Sequence, residues 1–218
     1  MSAGICHHPT QEMLLSYGAG SLDEASALLV ASHLSLCADC RAIVDRVEVI
    51  GGGLLEALPP AALTPGALSV VMDRLEETSP VLPSAPRQSR ASTAFPSALR
   101  HYIPNGIDRL PWKRVGRGIE QVTLVENGPV RARLQRVAAG ITMPAHTHDG
   151  SEMTLVLQGG FLDGGVDYGP GDVATADGSV NHTPSADKVD GCLCLAVTTA
   201  PLRLTGRFTR LLNPFLDL

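Results

Sequence analysis

Gly140-Ile141-Thr142-Met143-Pro144-Ala145-His146-Thr147-His148-Asp149-Gly150-Ser151-Glu152, closed a little further on by Gly159, is the stretch that decides the fold. On an extended segment His146 and His148 project to the same side, because strand side chains alternate with period two. A turn at Asp149-Gly150 lets Glu152, at the head of the next strand, point back into the same cavity. A fourth group must come from a distant strand, and His182 is the only histidine that follows His148. Any one of these residues alone reads as a solvated surface side chain. Together, at this spacing, they read as ligands. Three imidazoles and a carboxylate suit Zn, Fe, Mn, Ni or Co, so the donor set does not select the metal.

Outward from this stretch the texture is β. Short runs of branched and long apolar residues cover 121–125, 130–136, 153–157 and 192–198. Asn127-Gly128-Pro129, Asp163-Gly164-Gly165 and Gly169-Pro170-Gly171-Asp172 supply turns between strands. Roughly eight to ten strands are expected over residues 101–218, which suits an all-β double-sheet jelly roll.

Residues 1–80 read instead as an all-α bundle. Thr10 caps a helix over 11–17, which Gly18 and Gly20 end, and Ser21-Leu22-Asp23-Glu24 has the form of a capping box opening a second helix. A third helix is expected from 38 to about 58, with Gly51-Gly52-Gly53 weakening, bending or breaking it. Thr64-Pro65 then opens a fourth helix to residue 77, with an apolar stripe of Leu68, Val71, Met72 and Leu75. A stripe like that is more often core than docking surface. Between the two parts, residues 81–100 are rich in Pro, Ser, Ala, Gln and Arg without an apolar period. They read as a linker that lets the halves move or grip a partner between them.

The helical part carries its own constellation, His33-x3-Cys37-x2-Cys40. The Cys-x2-Cys unit brings two sulfurs to one ion, and His33, four residues earlier, reaches the same side. The Cys6-His7-His8 cluster can supply a fourth ligand if the first two helices form a hairpin. Two thiolates and two imidazoles favour tetrahedral zinc. In so small a bundle, with few aromatics, the ion would contribute folding energy outright.

Charge narrows the function classes. Residues 1–85 hold three arginines against ten acids, a net of −7 within a chain of −5. That excludes a basic stripe for nucleic acid in this half and suits a basic protein partner. No apolar run approaches a membrane span, and the start lacks a signal peptide's pattern, so a cytoplasmic location is expected. Five cysteines, an odd number, argue against a disulfide framework. Cys192 and Cys194 lie on one strand face, where redox sensing, a metal-neighbour role and plain core all remain open.

Two resemblances attach to these residues. His8, His33, Cys37 and Cys40 match the pattern of the zinc-binding anti-sigma domain in full, which implies His8 as fourth ligand and three helices plus a mobile fourth wrapping a sigma factor. Residues 140–159 match the first cupin motif at every fixed position. The second cupin motif is less well kept: His182 holds its histidine place, but Asp177-Gly178-Ser179 replaces P-x-G and Ala186 stands where Asn is usual. This departure leaves metal binding intact and counts against a standard enzymatic pocket. A zinc anti-sigma domain, a linker and a cupin in that order resemble the ChrR family of anti-sigma factors. The resemblance implies an anti-sigma factor, not an enzyme, that holds an extracytoplasmic-function (group IV) sigma factor, one to one. Release would follow singlet oxygen or organic hydroperoxide stress, sensed through the cupin. It also implies Zn2+ in the helical domain, Zn2+ or another divalent transition metal in the cupin, and no direct nucleic-acid or membrane contact. Cupins often pair through sheet edges, so a homodimer is a further expectation. The alternative is a metal-dependent cupin enzyme of dioxygenase type.

Overall fold

The computed structural model describes residues 4–76 and 95–206. Four helices open the chain: α1 (Gln11–Gly18), α2 (Glu24–Leu36), α3 (Ala38–Glu56) and α4 (Ala67–Glu76). Thr10 caps α1 as expected, its side chain accepting from the Met13 amide. The cap of α2 is Asp23 rather than Ser21, because the Asp23 carboxylate takes both the amide and the hydroxyl of Ser26. The Ser21 hydroxyl turns back to the Ser16 carbonyl. Cys37 separates α2 from α3 and caps the latter, its sulfur accepting from the Cys40 amide.

Three helical expectations need correction. The glycine triplet does not break α3, which runs through it to Glu56. The fourth helix starts at Ala67 rather than at Thr64-Pro65, since Gly66 adopts a φ of +81° that a helix cannot contain. Its stripe is also not core: Leu68, Val71, Met72 and Leu75 are all exposed. Residue 77 and the first part of the expected linker, through residue 94, lie outside the described residues.

Eleven strands are described in the second part, and the longest build a six-stranded antiparallel sheet. Its order is β1 (Lys113–Gly116), β2 (Ile119–Asn127), β3 (Val130–Val137), β10 (Cys192–Thr198), β5 (Glu152–Gly159) and β8 (Val173–Ala176). Shorter strands form two further sheets. One pairs β4 (His146–His148) with β11 (Leu202–Leu204). The other joins β6 (Phe161–Asp163), β7 (Val166–Tyr168) and β9 (Ser185–Ala186). The all-β class expected for this part is what forms.

The central strand β10 is buried along its whole length, which a sheet with one wet face would not allow. Both faces are covered. On one, Cys192 and Cys194 pack with Val156, Val137 and Phe161 inside the β domain. On the other, Leu193, Leu195 and Val197 share a cluster with Ala25, Leu28 and Leu29 of α2 and with Leu99. Leu99 belongs to a short 3-10 helix, Ser97–His101, formed by the last part of the expected linker and packed against α2. The helical and β parts therefore share one hydrophobic core. Each fully buried leucine in it contributes on the order of 1.5–3 kcal/mol.

Two candidate metal centres

In the β domain the four residues singled out by spacing converge. One donor atom from each of His146, His148, Glu152 and His182 lies within 4.8 Å of the others. Strand β4 carries the two histidines in the alternation expected of it. The turn at 149–151 is pinned by the Ser151 amide on the Thr199 hydroxyl, and it delivers Glu152 to the head of β5. His182 arrives by an isolated β-bridge rather than a strand. The His146 and His182 backbones exchange two hydrogen bonds, of 3.1 and 3.0 Å, and so set their rings side by side.

The outer nitrogens of two rings are already committed. His146 donates from Nδ1 to the Pro144 carbonyl at 2.8 Å, and His182 Nδ1 meets the Asp163 carboxylate at 2.6 Å. Both contacts leave Nε2 facing the centre with a lone pair, the tautomer a metal ligand requires. His148 Nε2 lies 3.1 Å from His182 Nε2 and 3.4 Å from Glu152 Oε2. Burial lowers the pKa of His146, and lowers His148 to about 4, so both imidazoles are neutral. Burial also raises Glu152 to about 7, despite the pull of His182 and Arg133. A carboxyl whose charge burial penalises, beside two neutral imidazoles, is a place where a dication would favour the ionised form.

Behind the cluster is a cavity of about 70 Å³, bordered by Glu152, His182, Phe161, Tyr168, Cys192 and Cys194. At ~10–15 Å³ per water, it has room for a few waters. Cys194 is pushed well up by its hydrogen bond with Cys192 and by burial. Both cysteines are buried core residues that also border this cavity.

The helical centre forms as well: His8, His33, Cys37 and Cys40 bring their donor atoms within 4.8 Å of one another. Of the three neighbouring candidates for the fourth position, the structure turns His8 toward the thiols, although the residue stays exposed. Its Nδ1 lies 3.5 Å from Cys37 Sγ and 3.3 Å from Cys40 Sγ. Cys6 is exposed, and His7 faces away toward Tyr168 and Asp172. His33 is fully buried, donates from Nδ1 to the Gly171 carbonyl at 2.9 Å, and leaves Nε2 buried without a partner. An orphaned imidazole nitrogen facing two sulfurs marks a place for a cation. The Cys40 thiol is pushed up to about 12 by burial and by its bond to Cys37. Two adjacent thiolates become favourable only around a positive ion. The donors fit zinc, which supplies a redox-silent tetrahedral cross-link when bound.

Asp163 was not singled out as a site residue from the sequence, where Asp163-Gly164-Gly165 reads only as a turn. That turn joins β6 to β7 and aims the carboxylate at His182. Asp172, equally hidden in a turn motif, touches the segment carrying His8.

Among the described residues no single helix is long and apolar enough to cross a membrane. The one pair that passes jointly, α2 and α3, is bent by 118° around the thiol cluster.

A β domain with a three-histidine, one-glutamate cluster has the form of a cupin-like domain, here joined to helices that carry a Cys/His cluster. Residues 104–202 match the family described as the ChrR cupin-like domain. The chain belongs to the ChrR family of anti-sigma factors: it is 40% identical over 211 residues to anti-sigma-E factor ChrR of Cereibacter sphaeroides, covering 97% of this chain and 98% of that one. A chain in the crystal structure of Rhodobacter sphaeroides SigE in complex with the anti-sigma ChrR superposes with a TM-score of 0.78. It is 38% identical and covers 89% of this chain and 99% of that one.

Proposed function

We propose that this chain is a non-catalytic anti-sigma factor that sequesters an extracytoplasmic-function sigma factor, one to one, on its helical part. The observation that carries the reading is the apolar surface left bare by α3 and α4. Val49, Ile50, Leu54 and Leu55 on the first, and Leu68, Val71, Met72 and Leu75 on the second, are each at least half exposed. Eight large apolar side chains in water on two neighbouring segments mark a docking surface rather than a satisfied exterior. Acidic residues surround them, which suits a basic partner. The whole-length relationship to an anti-sigma factor supports this reading over the dioxygenase alternative.

In this reading residues 1–80 grip the partner, 81–100 link, and 101–218 sense. His8, His33, Cys37 and Cys40 hold Zn2+ that braces the helices. His146, His148, Glu152 and His182 hold Zn2+ or another divalent transition metal, and an oxidative event such as singlet oxygen or organic hydroperoxide exposure acts there to loosen the grip. Shifting a complex from 99% to 1% bound needs about 5.5 kcal/mol, so the event must alter more than one contact.

The test is co-expression with a candidate sigma factor, with metal measured on the purified complex. The complex is expected to be lost with His33→Ala or Cys37→Ala and kept with His148→Ala, with two metal equivalents per wild-type chain. Loss of the complex with His148→Ala alone would overturn this division of labour.

A further inference from the structure

The helical metal cluster is not closed by helical residues. Its outer contacts come from the cupin, at the turn between β7 and β8. The Gly171 carbonyl in that turn takes the Nδ1 proton of His33. Asp172, 6% exposed, reaches across with its carboxylate: Oδ1 accepts from the amides of Cys6 (2.8 Å) and His7 (2.9 Å), and Oδ2 from the Gly169 amide (2.9 Å). The His7 imidazole lies 3.5 Å from Oδ2 and packs on Tyr168, and the Val173 amide donates to the His7 carbonyl at 3.0 Å. Residues 6 and 7 are thereby laid along the start of β8, and the next residue is the ligand His8.

We propose that this cupin turn is the outer half of the helical metal site, with Asp172 as its positioning residue. Docking of the cupin then sets how firmly the helical domain keeps its ion. The proposal rests on the reading of that cluster as a zinc site and deepens it by naming where regulation enters. Three features support it. A metal-bound histidine depends on the group that holds its second nitrogen, and here that group belongs to the other domain. Asp172 fixes the segment that presents His8 through two amides at once, so its loss would free a ligand rather than a distant loop. Finally, the turn is bonded to Val156, which packs behind two residues of the cupin cavity wall. The Val156 amide donates to the Asp172 carbonyl and the Val156 carbonyl accepts from the Gly171 amide. Val156, fully buried, packs against Cys192 and Cys194. A displacement at the cavity wall therefore reaches the helical ion through one strand and one turn, a continuous path of packed and bonded groups.

The experiment loads the full-length chain with zinc and follows its release to a chromogenic chelator. The two sites are distinguished by parallel runs on a His148→Ala background. Asp172→Ala is expected to speed release from the helical site at least tenfold and to change cupin-site release by less than twofold. Asp172→Asn, which keeps the shape and one acceptor, is expected to fall between that variant and wild type, and it serves if the alanine variant does not fold. Val122→Ala is the control, since it weakens the shared core away from the turn. Equal helical-site release in Asp172→Ala, Asp172→Asn and wild type would overturn the proposal, and so would equal acceleration by Val122→Ala. If the wild-type chain holds no zinc at the helical cluster in the first place, it is the metal reading that fails, not the latch.

Discussion

His148 and His182 present their Nε2 atoms to each other at 3.1 Å, with Glu152 Oε2 3.4 Å from the first. Without a cation, two lone pairs and a carboxyl compete for protons that burial makes hard to hold as charge. His148 falls from 6.5 to about 4, so its contribution to stability is present above pH 6.5 and lost as pH drops toward 4. Glu152 rises from 4.5 to about 7, so its contribution is present below pH 4.5 and lost as pH rises through 7. Metal binding needs neutral imidazole and ionised carboxylate together. With the helical site already filled, zinc entering the cupin at pH 6.5 is therefore expected to release a proton from Glu152, and much less at pH 8. Calorimetric titration in two buffers of different ionisation heat reads this directly. Glu152→Gln should abolish it.

Asp163 holds His182, the third histidine of the cupin cluster, at 2.6 Å. Asp163→Asn keeps the shape but loses the negative charge that favours the Nδ1 proton. Removing such an outer partner weakens a metal by roughly 10–100-fold. Competition with a chelator should show that loss at one of two sites only. An unchanged affinity would mean that the bridge to His146 alone positions His182.

Cys40→Ser removes a thiolate from the helical cluster while barely changing volume. Structural zinc of this ligand type contributes on the order of 10 kcal/mol to folding, more than a short bundle can replace. Zinc content should fall from two equivalents to one, with a loss of helical signal and a lowered melting temperature for the whole chain. A fully helical, one-zinc variant would show the ion to be dispensable for the fold.

Leu55 and Leu68 are 70% and 72% exposed, so replacing them should cost the free protein under about 0.5 kcal/mol. As anchors on a docking surface they would each contribute about 2 kcal/mol or more to binding. The Leu55→Asp/Leu68→Asp double variant is expected to melt like wild type and to bind the sigma factor at least 100-fold more weakly. Undiminished binding would move the interface elsewhere.

Leu29 is fully buried in the cluster that α2 shares with β10. Leu29→Ala should destabilise by about 2–5 kcal/mol. Because the cluster is common to both parts, the loss should appear in one calorimetric transition. Two separated transitions, with only the helical one lowered, would show that the halves fold independently.

Part of each candidate ligand set was legible because it depends on local spacing. His146 and His148 share a strand face, Cys37 and Cys40 share a helix start, and neither relation needs a third element. Selecting His8 over Cys6 and His7 was different, and came only through resemblance. The physical selector is Asp172, more than 160 residues away, which fixes the two preceding amides. Asp163 was hidden in the same way, as a turn residue whose function exists only once His182 is folded against it. The burial of both faces of β10 could also not be read, since its continuous apolar run does not say what covers it. The cap at Asp23 and the delayed start of α4 show competition between two plausible local signals, settled by a carboxylate in one case and by Gly66 in the other. Gly51-Gly52-Gly53 pointed to a break, yet the helix persists through it.

That triplet has a mechanical consequence. A methyl group at any of the three positions would meet nothing within 4 Å, so crowding does not demand glycine there. Each glycine nonetheless costs a helix roughly 1 kcal/mol relative to alanine. The distal end of α3 is thus kept cheap to unwind, a jaw with a slack spring. Three alanines there would make that end of the helix costlier to unwind, by up to about 3 kcal/mol.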